Sequence, residues 1–403
     1  MTAHDPNAFD PLILDALHIP VERLRQILRQ LVPAYERRVT IPVLETTLIE
    51  AGPDGTTFQQ TDLDLHITVR ANDLTCARPF RTCVSHGLLR RFAASFDGVI
   101  RLSYVPASVK KGEAQMPRIT LATDDGCSAT INSLIPAEDF PLRLGGGEAD
   151  QANHWRPMAF SPAELRRLID LAAPCISTEA TRYYLNGINM QPHPERGTLR
   201  AIATDGHRMA VIDGPTPAIE GLNVILPKGF VRAIAHLVNP KANDTAVLSF
   251  HSALPRARLT CGPVQIDAKL IDGTFPEYTR VIPKEPARMS LTLSANALRR
   301  MRPFALHRSN AVRFENGRMT MRDYTDGEVS APVTMTVHDG ATPDMQKHYE
   351  NGRTETWGFR LEYLLSQAAL TPTFRADLAS PSDPARIFGE DPEAMWILMP
   401  MRV

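Results

Sequence analysis

Three stretches of this chain begin in the same way. Val21-Glu22-Arg23-Leu24-Arg25-Gln26-Ile27-Leu28, Pro162-Ala163-Glu164-Leu165-Arg166-Arg167-Leu168-Ile169 and Ala295-Asn296-Ala297-Leu298-Arg299-Arg300-Met301 each set apolar residues three or four apart with arginines between them. That is the period of an amphipathic helix. The middle stretch has a strong start signal: Ser161 as cap, Pro162 at the first helical position and Glu164 three residues after the cap. A second helical stretch follows each of the first: Leu88-Leu89-Arg90-Arg91-Phe92, Phe230-Val231-Arg232-Ala233-Ile234 and Leu361-Glu362-Tyr363-Leu364-Leu365. Leu24 and Leu89 lie 65 residues apart, and both Leu165 to Val231 and Leu298 to Leu364 span 66. The segment ends recur as well, in Leu134-Ile135-Pro136, Leu270-Ile271-Asp272 and Leu398-Met399-Pro400, and Phe140-Pro141 returns as Phe275-Pro276. A period of about 130 residues is too long for a solenoid unit and right for a whole domain.

Alternating or β-branched runs lie between the helices, among them Leu65-His66-Ile67-Thr68-Val69, Thr245-Ala246-Val247-Leu248-Ser249-Phe250 and Val333-Thr334-Met335-Thr336-Val337. With turn pairs such as Asp205-Gly206, Asn316-Gly317 and Asp326-Gly327, they predict antiparallel sheets. Gly145-Gly146-Gly147-Glu148 reads as a flexible joint and Pro283-Lys284-Glu285-Pro286 as a stiffer one. The expected architecture is α+β: three repeated domains, at 1–150, 151–279 and 280–403, each with two helices packed on antiparallel sheets.

With 403 residues, 43% apolar and 22% charged, the chain has the make-up of a globular protein rather than of a disordered or fibrous one. No apolar stretch approaches the ~18 residues of a membrane span, and Met1-Thr2-Ala3-His4-Asp5 lacks a signal-peptide layout. A cytoplasmic protein is expected. Cys76, Cys83, Cys127, Cys175 and Cys261 are odd in number and scattered, which argues against disulfides and a zinc site and predicts small core residues.

The net charge of −1 conceals a sorting. Windows 21–32, 86–95, 162–171, 228–237, 295–303 and 359–369 hold 13 Lys or Arg against Glu22, Glu164, Asp170 and Glu362, a net +9, so the rest of the chain carries −10. If each helix buries its leucine face on a sheet, the arginines point away from it. Repeated domains would then share a basic surface suited to a polyanion gripped by its phosphates. On any single helix such arginines are better explained as helix formers on a solvated face, and only their repetition favours the basic surface.

Two motifs invite a chemical reading. Thr204-Asp205-Gly206-His207-Arg208 sits between two apolar runs as the tip of a strand-turn-strand unit, and its Asp and His could serve acid-base catalysis. No nucleophile motif, glycine-rich phosphate loop or His-Glu metal helix accompanies it, so a hairpin turn is the better reading. Asp62 and Asp64 would share one strand face; without a third ligand they read as solvated carboxylates. At the C-terminus, Trp396 to Leu398 predicts a last strand, and Pro400 takes Met399-Pro400-Met401 out of the sheet. Those methionines either line an apolar binding surface or dock on the protein's own core.

The threefold repeat, together with Arg182-Tyr183-Tyr184-Leu185-Asn186-Gly187, Ala203-Thr204-Asp205-Gly206-His207-Arg208, Phe275-Pro276-Glu277-Tyr278 and Met399-Pro400-Met401-Arg402, resembles the bacterial DNA polymerase III beta-subunit family, the sliding clamps. The resemblance implies a ring-forming head-to-tail homodimer of six domains, with helices around a hole that encloses double-stranded DNA and no chemistry, metal or cofactor of its own. It implies DNA contacts at Arg38, Arg182, Tyr183 and Tyr184. It further implies a groove for linear motifs of the polymerase alpha subunit, the clamp loader and repair polymerases. That groove would be built from Leu185, Thr204, Gly206, His207, Arg208, Met209, Pro276, Arg280, Val281, Ile397, Met399, Pro400, Met401 and Arg402. Where the family has apolar residues at the subunit interface, this chain has Thr130 and Asn132 on the last strand of the first repeat and His307 and Arg308 after the third-repeat helix. Hydrogen bonds and charges would then close the ring, in a salt-sensitive way. Two other readings compete: a divergent paralogue serving repair or plasmid replication, and a hydrolase using Asp205 and His207.

Overall fold

A computed structural model describes residues 16–36, 40–106, 108–110, 113–115, 117–132, 135–141, 154–305, 311–315, 317–322, 327–338 and 356–401. Among them are six α-helices: α1 (Val21–Leu31), α2 (His86–Ser95), α3 (Pro162–Ala172), α4 (Lys228–Leu237), α5 (Ala295–Met301) and α6 (Leu361–Leu370). They fall where the apolar spacing predicts, two to a repeat. The anchor residues Leu24, Leu89, Leu165, Val231, Leu298 and Leu364 are all at most 2% exposed, so the repeat in sequence is a repeat of buried contacts.

The local grammar also recurs. Every helix is entered from a strand: Leu17–Pro20 leads into α1, Phe80–Ser85 into α2, Trp155–Phe160 into α3, Val224–Pro227 into α4, Met289–Ser294 into α5 and Trp357–Arg360 into α6. The first helix of each repeat ends in a 3₁₀ turn, at Val32–Ala34, Ala173–Cys175 and Arg302–Phe304, with Pro33, Pro174 or Pro303 in its middle. Proline lacks the N–H that another α-turn would need, which explains the shared stop.

The chain forms two compact units, residues 1–163 with 232–270, and residues 164–231 with 271–403. The middle repeat is thus divided between them, because sheets continue from one repeat into the next. In the first unit an eight-stranded antiparallel sheet joins Trp155–Phe160, Ala246–His251, Arg256–Cys261 and Val264–Lys269 to Leu65–Ala71, Gly55–Thr61, Thr46–Gly52 and Phe80–Ser85. The crossover is the pairing of Val264–Ala268 with Leu65–Val69, which sets Ile266 opposite Ile67. A four-stranded sheet accompanies it, edged by Leu17–Pro20 and Ser128–Asn132. In the second unit a nine-stranded sheet crosses repeats where Arg208–Ile212 pairs with Ala394–Leu398, and a four-stranded sheet is edged by Glu328–Pro332 and Trp357–Arg360. α1 packs on α2 in the first unit and α5 on α6 in the second, each burying its leucine face.

Some expectations need correction. Asp62 and Asp64 do not share a strand face: they lie in the turn between Gly55–Thr61 and Leu65–Ala71. There Asp62 Oδ1 accepts the Asp64 and Leu65 N–H groups at 3.0 and 2.6 Å, the habit of aspartate at a tight turn. All five cysteines are free thiols, but only Cys76, Cys83 and Cys175 are buried. Cys127 is exposed and Cys261 half-buried. Both sit beside turn glycines, Gly126 and Gly262, where the chain leaves the core. Asn316 and Asp326 of two predicted turns lie outside the described residues.

The core of the first repeat holds a neutral histidine. His86 opens α2 fully buried, with its ring 4.3 Å from that of Tyr35. Gln60 Nε2 donates to the Leu44 carbonyl, which turns its Oε1 toward the Thr47 hydroxyl at 3.1 Å. With the Thr47 proton so committed, the contact at 3.0 Å between Thr47 Oγ1 and His86 Nδ1 has the imidazole as donor, and Nε2 is left bare. Burial, then the nearby Arg90, pushes the His86 pKa down to about 4. The unfolded chain takes up this proton near pH 6.5 and the folded chain does not. The stabilisation is therefore complete above pH 6.5 and falls as the pH drops toward 4, by about 3 kcal/mol. Denaturant melts at pH 7, 5.5 and 4.5 are expected to trace this decline, and His86→Gln to flatten it.

Candidate functional site

The residues singled out at the tip of the predicted hairpin meet those of the C-terminal strand in the second unit. Strand Thr198–Thr204 turns at Asp205-Gly206-His207 into Arg208–Pro217, and Met209 then pairs with Ile397 of the last strand. Leu185 arrives from the 3₁₀ turn Ala180–Leu185, and Phe275 and Tyr278 from the segment that closes with the 3₁₀ turn Tyr278–Val281. Leu185, Ile202, Met209, Val211, Ile225, Phe275, Tyr278 and Ile397 form one buried apolar cluster. Above it lies a groove of about 260 Å³. Its rim exposes Val281 (45%) and Met399 (40%), two large apolar side chains in the lining of one groove.

Ten of the expected groove residues line it: Leu185, Thr204, Gly206, His207, Arg208, Met209, Pro276, Val281, Ile397 and Met399. Arg280 is exposed on the adjoining 3₁₀ turn, outside the lining. Pro400 and Met401 leave the sheet as expected, and the tail is held by backbone bonds from Met399 N to His207 O (2.9 Å) and Met401 N to Gly358 O (2.8 Å). Arg402 lies outside the described residues. The sequence reading missed Phe275, Glu277 and Tyr278 as lining residues, although the aromatics stood in a quoted string. It had also assigned Arg182 and Tyr184 to DNA; both line the groove. Tyr183 is 54% exposed beside them, and Arg38 lies outside the described residues.

The turn itself is scaffold. Asp205 Oδ1 accepts the backbone N–H of His207 and of Arg208 at 3.0 Å each, and Oδ2 takes Arg208 Nε at 3.0 Å. The carboxylate is thus spent on the turn and on arginine, and what it receives from His207 is the backbone, not the imidazole. Arg208 continues to Ser366 Oγ at 2.6 Å and lies 4.6 Å from the Tyr363 ring centre, both on α6. The His207 ring faces the same tyrosine at 6.2 Å. The nearby Cys175 is completely buried, and burial pushes its thiol up to about 12, so it is no nucleophile at neutral pH. The geometry removes the acid-base reading of Asp205 and His207. What remains is a slot with apolar walls and a polar rim, fit to accept apolar side chains of an extended segment.

Most arginines of the helices fall into two sets, Arg299 standing apart with its bonds to Asn296 and the Ala368 carbonyl. Arg23 pairs with Asp73, Arg25 with Glu22 and Asp97, Arg166 with Asp170 and Arg167 with Asp391. Arg29, Arg90, Arg91 and Arg232 in the first unit, and Arg300 and Arg302 in the second, are exposed, and among the described residues no acid pairs with them. The helix charge counted from sequence is therefore partly consumed internally, and a smaller set is left for an outside anion.

Gly206 has φ +87°, and a Cβ there would stand 3.0 Å from Arg182 Nη1. Gly206→Ala is expected to cost about 1–2 kcal/mol in denaturant melts, from the left-handed backbone strain.

A family model for the central domain of the DNA polymerase III beta subunit matches residues 159–277. The beta sliding clamp of Caulobacter vibrioides is 31% identical over 397 residues, covering 96% of this chain and all of that protein. The beta sliding clamp of Pseudomonas aeruginosa is 27% identical over 400 residues with the same coverage. Among solved structures, a Caulobacter crescentus beta sliding clamp superposes with TM-score 0.80 at 30% identity, covering 96% of this chain and 99% of that one. A Bartonella birtlesii sliding clamp bound to griselimycin superposes with TM-score 0.80 at 26% identity and the same coverage.

Proposed function

The chain belongs to the beta sliding clamp family, the non-catalytic processivity subunits of DNA polymerase III, and we propose that two copies close head to tail into a ring around double-stranded DNA. The observation that carries this reading is the set of exposed arginines without acid partners on α1, α2, α4 and in the turn and helix of α5. Cations spread over the helices of a repeated fold suit many weak phosphate contacts, which hold a duplex without reading its bases and so permit sliding. The three domains are residues 1–150, 151–279 and 280–403, six in the ring. Arg38, Arg182, Tyr183 and Tyr184 are the proposed DNA contacts.

The groove is the docking slot for linear motifs of the polymerase alpha subunit, the clamp loader and repair polymerases. Support comes from its apolar cluster and from the half-exposed Val281 and Met399, which give an apolar anchor a surface to bury. The protein acts in the cytoplasm in this reading. Among the described residues no helix is long and apolar enough to cross a membrane.

Loading onto closed circular and linear duplex DNA tests the ring. Retention on the circle with loss from the linear form is expected; equal retention on both would overturn the topological grip.

The subunit contact offers a second test. Ser128–Asn132 is a sheet edge in the first unit, with Thr130 exposed on it, and Glu328–Pro332 is one in the second. The side chain of Asn132, and His307 and Arg308, lie outside what is described. A polar seam of this kind predicts a dimer that dissociates as salt rises from about 0.05 to 0.5 M, because screening weakens charge pairing but not apolar contact. Sedimentation at nanomolar protein reads the dimer fraction, and a dimer indifferent to salt would remove the polar-seam account.

A further inference from the structure

The groove has an aromatic floor that is held from behind. Tyr278 is 7% exposed, its ring in the apolar cluster and its hydroxyl accepting a hydrogen bond from Arg200 Nη1 at 2.9 Å. Arg200 lies on strand Thr198–Thr204 directly opposite Asp213 of the neighbouring strand. Its Nε and Nη2 go to Asp213 Oδ1 and Oδ2 at 2.6 and 2.9 Å. The two-pronged pairing stops the guanidinium from turning, and the third nitrogen then fixes where the phenol oxygen sits.

The same residue is also tied to the approach to the last strand. Asp213 Oδ2 also accepts Arg196 Nη2 at 3.1 Å, its carbonyl accepts Arg167 Nη1 at 2.9 Å, and its N–H donates to the Glu393 carbonyl at 2.8 Å. Arg196 continues to Glu393 Oε2 at 2.6 Å and Arg167 to Asp391 Oδ1 at 2.7 Å. Those acids immediately precede the strand Ala394–Leu398, whose far end brings Ile397 and Met399 to the groove. One network of charges therefore runs from the Tyr278 hydroxyl to the residues that lead into the last strand.

The side chains of Arg200 and Asp213 are only 12% and 10% exposed. Desolvating such a pair costs about as much as its attraction returns, so its use lies in geometry more than in stability. We propose that Arg200 and Asp213 are positioning residues of the groove, which hold Tyr278 and the last strand in the arrangement an apolar ligand meets. This rests on the reading of the groove as a docking slot. The device preorganises the slot, so a ligand does not have to order it on binding.

Calorimetric titration of the full chain with griselimycin, well below the melting temperature of every variant, tests this. Tyr278→Phe keeps the ring and loses only the hydroxyl; about fivefold weaker binding is expected. Arg200→Met is expected to weaken binding about tenfold, and the double variant no further, because hydroxyl and guanidinium act through one bond. Lowered melting temperatures with unchanged affinities would overturn the proposal, since a purely structural pair behaves that way. Additive losses in the double variant would overturn it too. Val281→Asp on the exposed rim separates the two levels. If it abolishes binding while Arg200→Met does not change it, the positioning role falls and the groove stands. If the wild-type chain does not bind, or binds no better than Val281→Asp, the groove reading falls and the positioning role with it.

Discussion

Strand Arg208–Ile212 hydrogen-bonds to Ala394–Leu398, residues that lie almost half the chain away. Paired residues on antiparallel strands share a face, so Met209 and Ile397 stand side by side in the lining of the groove. A slip of one residue would turn both into the opposite layer. The pairing also carries Met399 to the His207 carbonyl and fixes where the apolar tail can run. Closing so long a loop costs chain entropy, which the backbone ladder and the buried cluster around it offset only together. The groove is for this reason a property of two repeats joined, and neither contains it alone.

Arginine serves two distinct purposes in the molecule. Arg167, Arg200 and Arg208 face inward, where the planar fork matches carboxylates and aromatic faces and organises the groove from behind and beside it. Arg29, Arg90, Arg91, Arg232, Arg300 and Arg302 have no acid partner among the described residues and keep their charge for the surroundings. A count over the helix windows cannot tell a paired arginine such as Arg167 from the unpaired ones. The distinction matters to a sliding grip, since only cations not already neutralised can displace counterions from DNA.

Much of the fold was legible because it depends on short-range periodicity. All six helices lie where apolar residues recur three or four apart, and the anchors Leu24, Leu165 and Leu298 are buried alike. The errors came where a residue's meaning depends on its neighbours in space. Asp62 and Asp64 looked like one face of a strand, yet the hydrogen bonds from Asp62 to backbone N–H groups make them a turn. Cys127 was assigned to the core by residue type and stands at an exposed turn. Asp205 and His207 already read better as a hairpin turn than as an acid-base pair, and the bonds of Asp205 to backbone and to Arg208 agree with the turn. Tyr363 and Ser366, which brace Arg208, gave no signal at all, because no local pattern links a helix to a turn some 158 residues earlier.

The sequence by itself determined the repeat, the helix faces and the strand runs, because side-chain period is local and survives without coordinates, while the ten groove-lining residues named beforehand came from the resemblance of its motif strings to a known family. Tertiary structure alone decided that the sheets run from one repeat into the next and divide the middle one between two units. It also decided which arginines are spent internally, and that Arg200 and Asp213 stand behind Tyr278. Strand pairing and ion-pair partners depend on which distant segments meet, and that is settled by the packing of the whole chain.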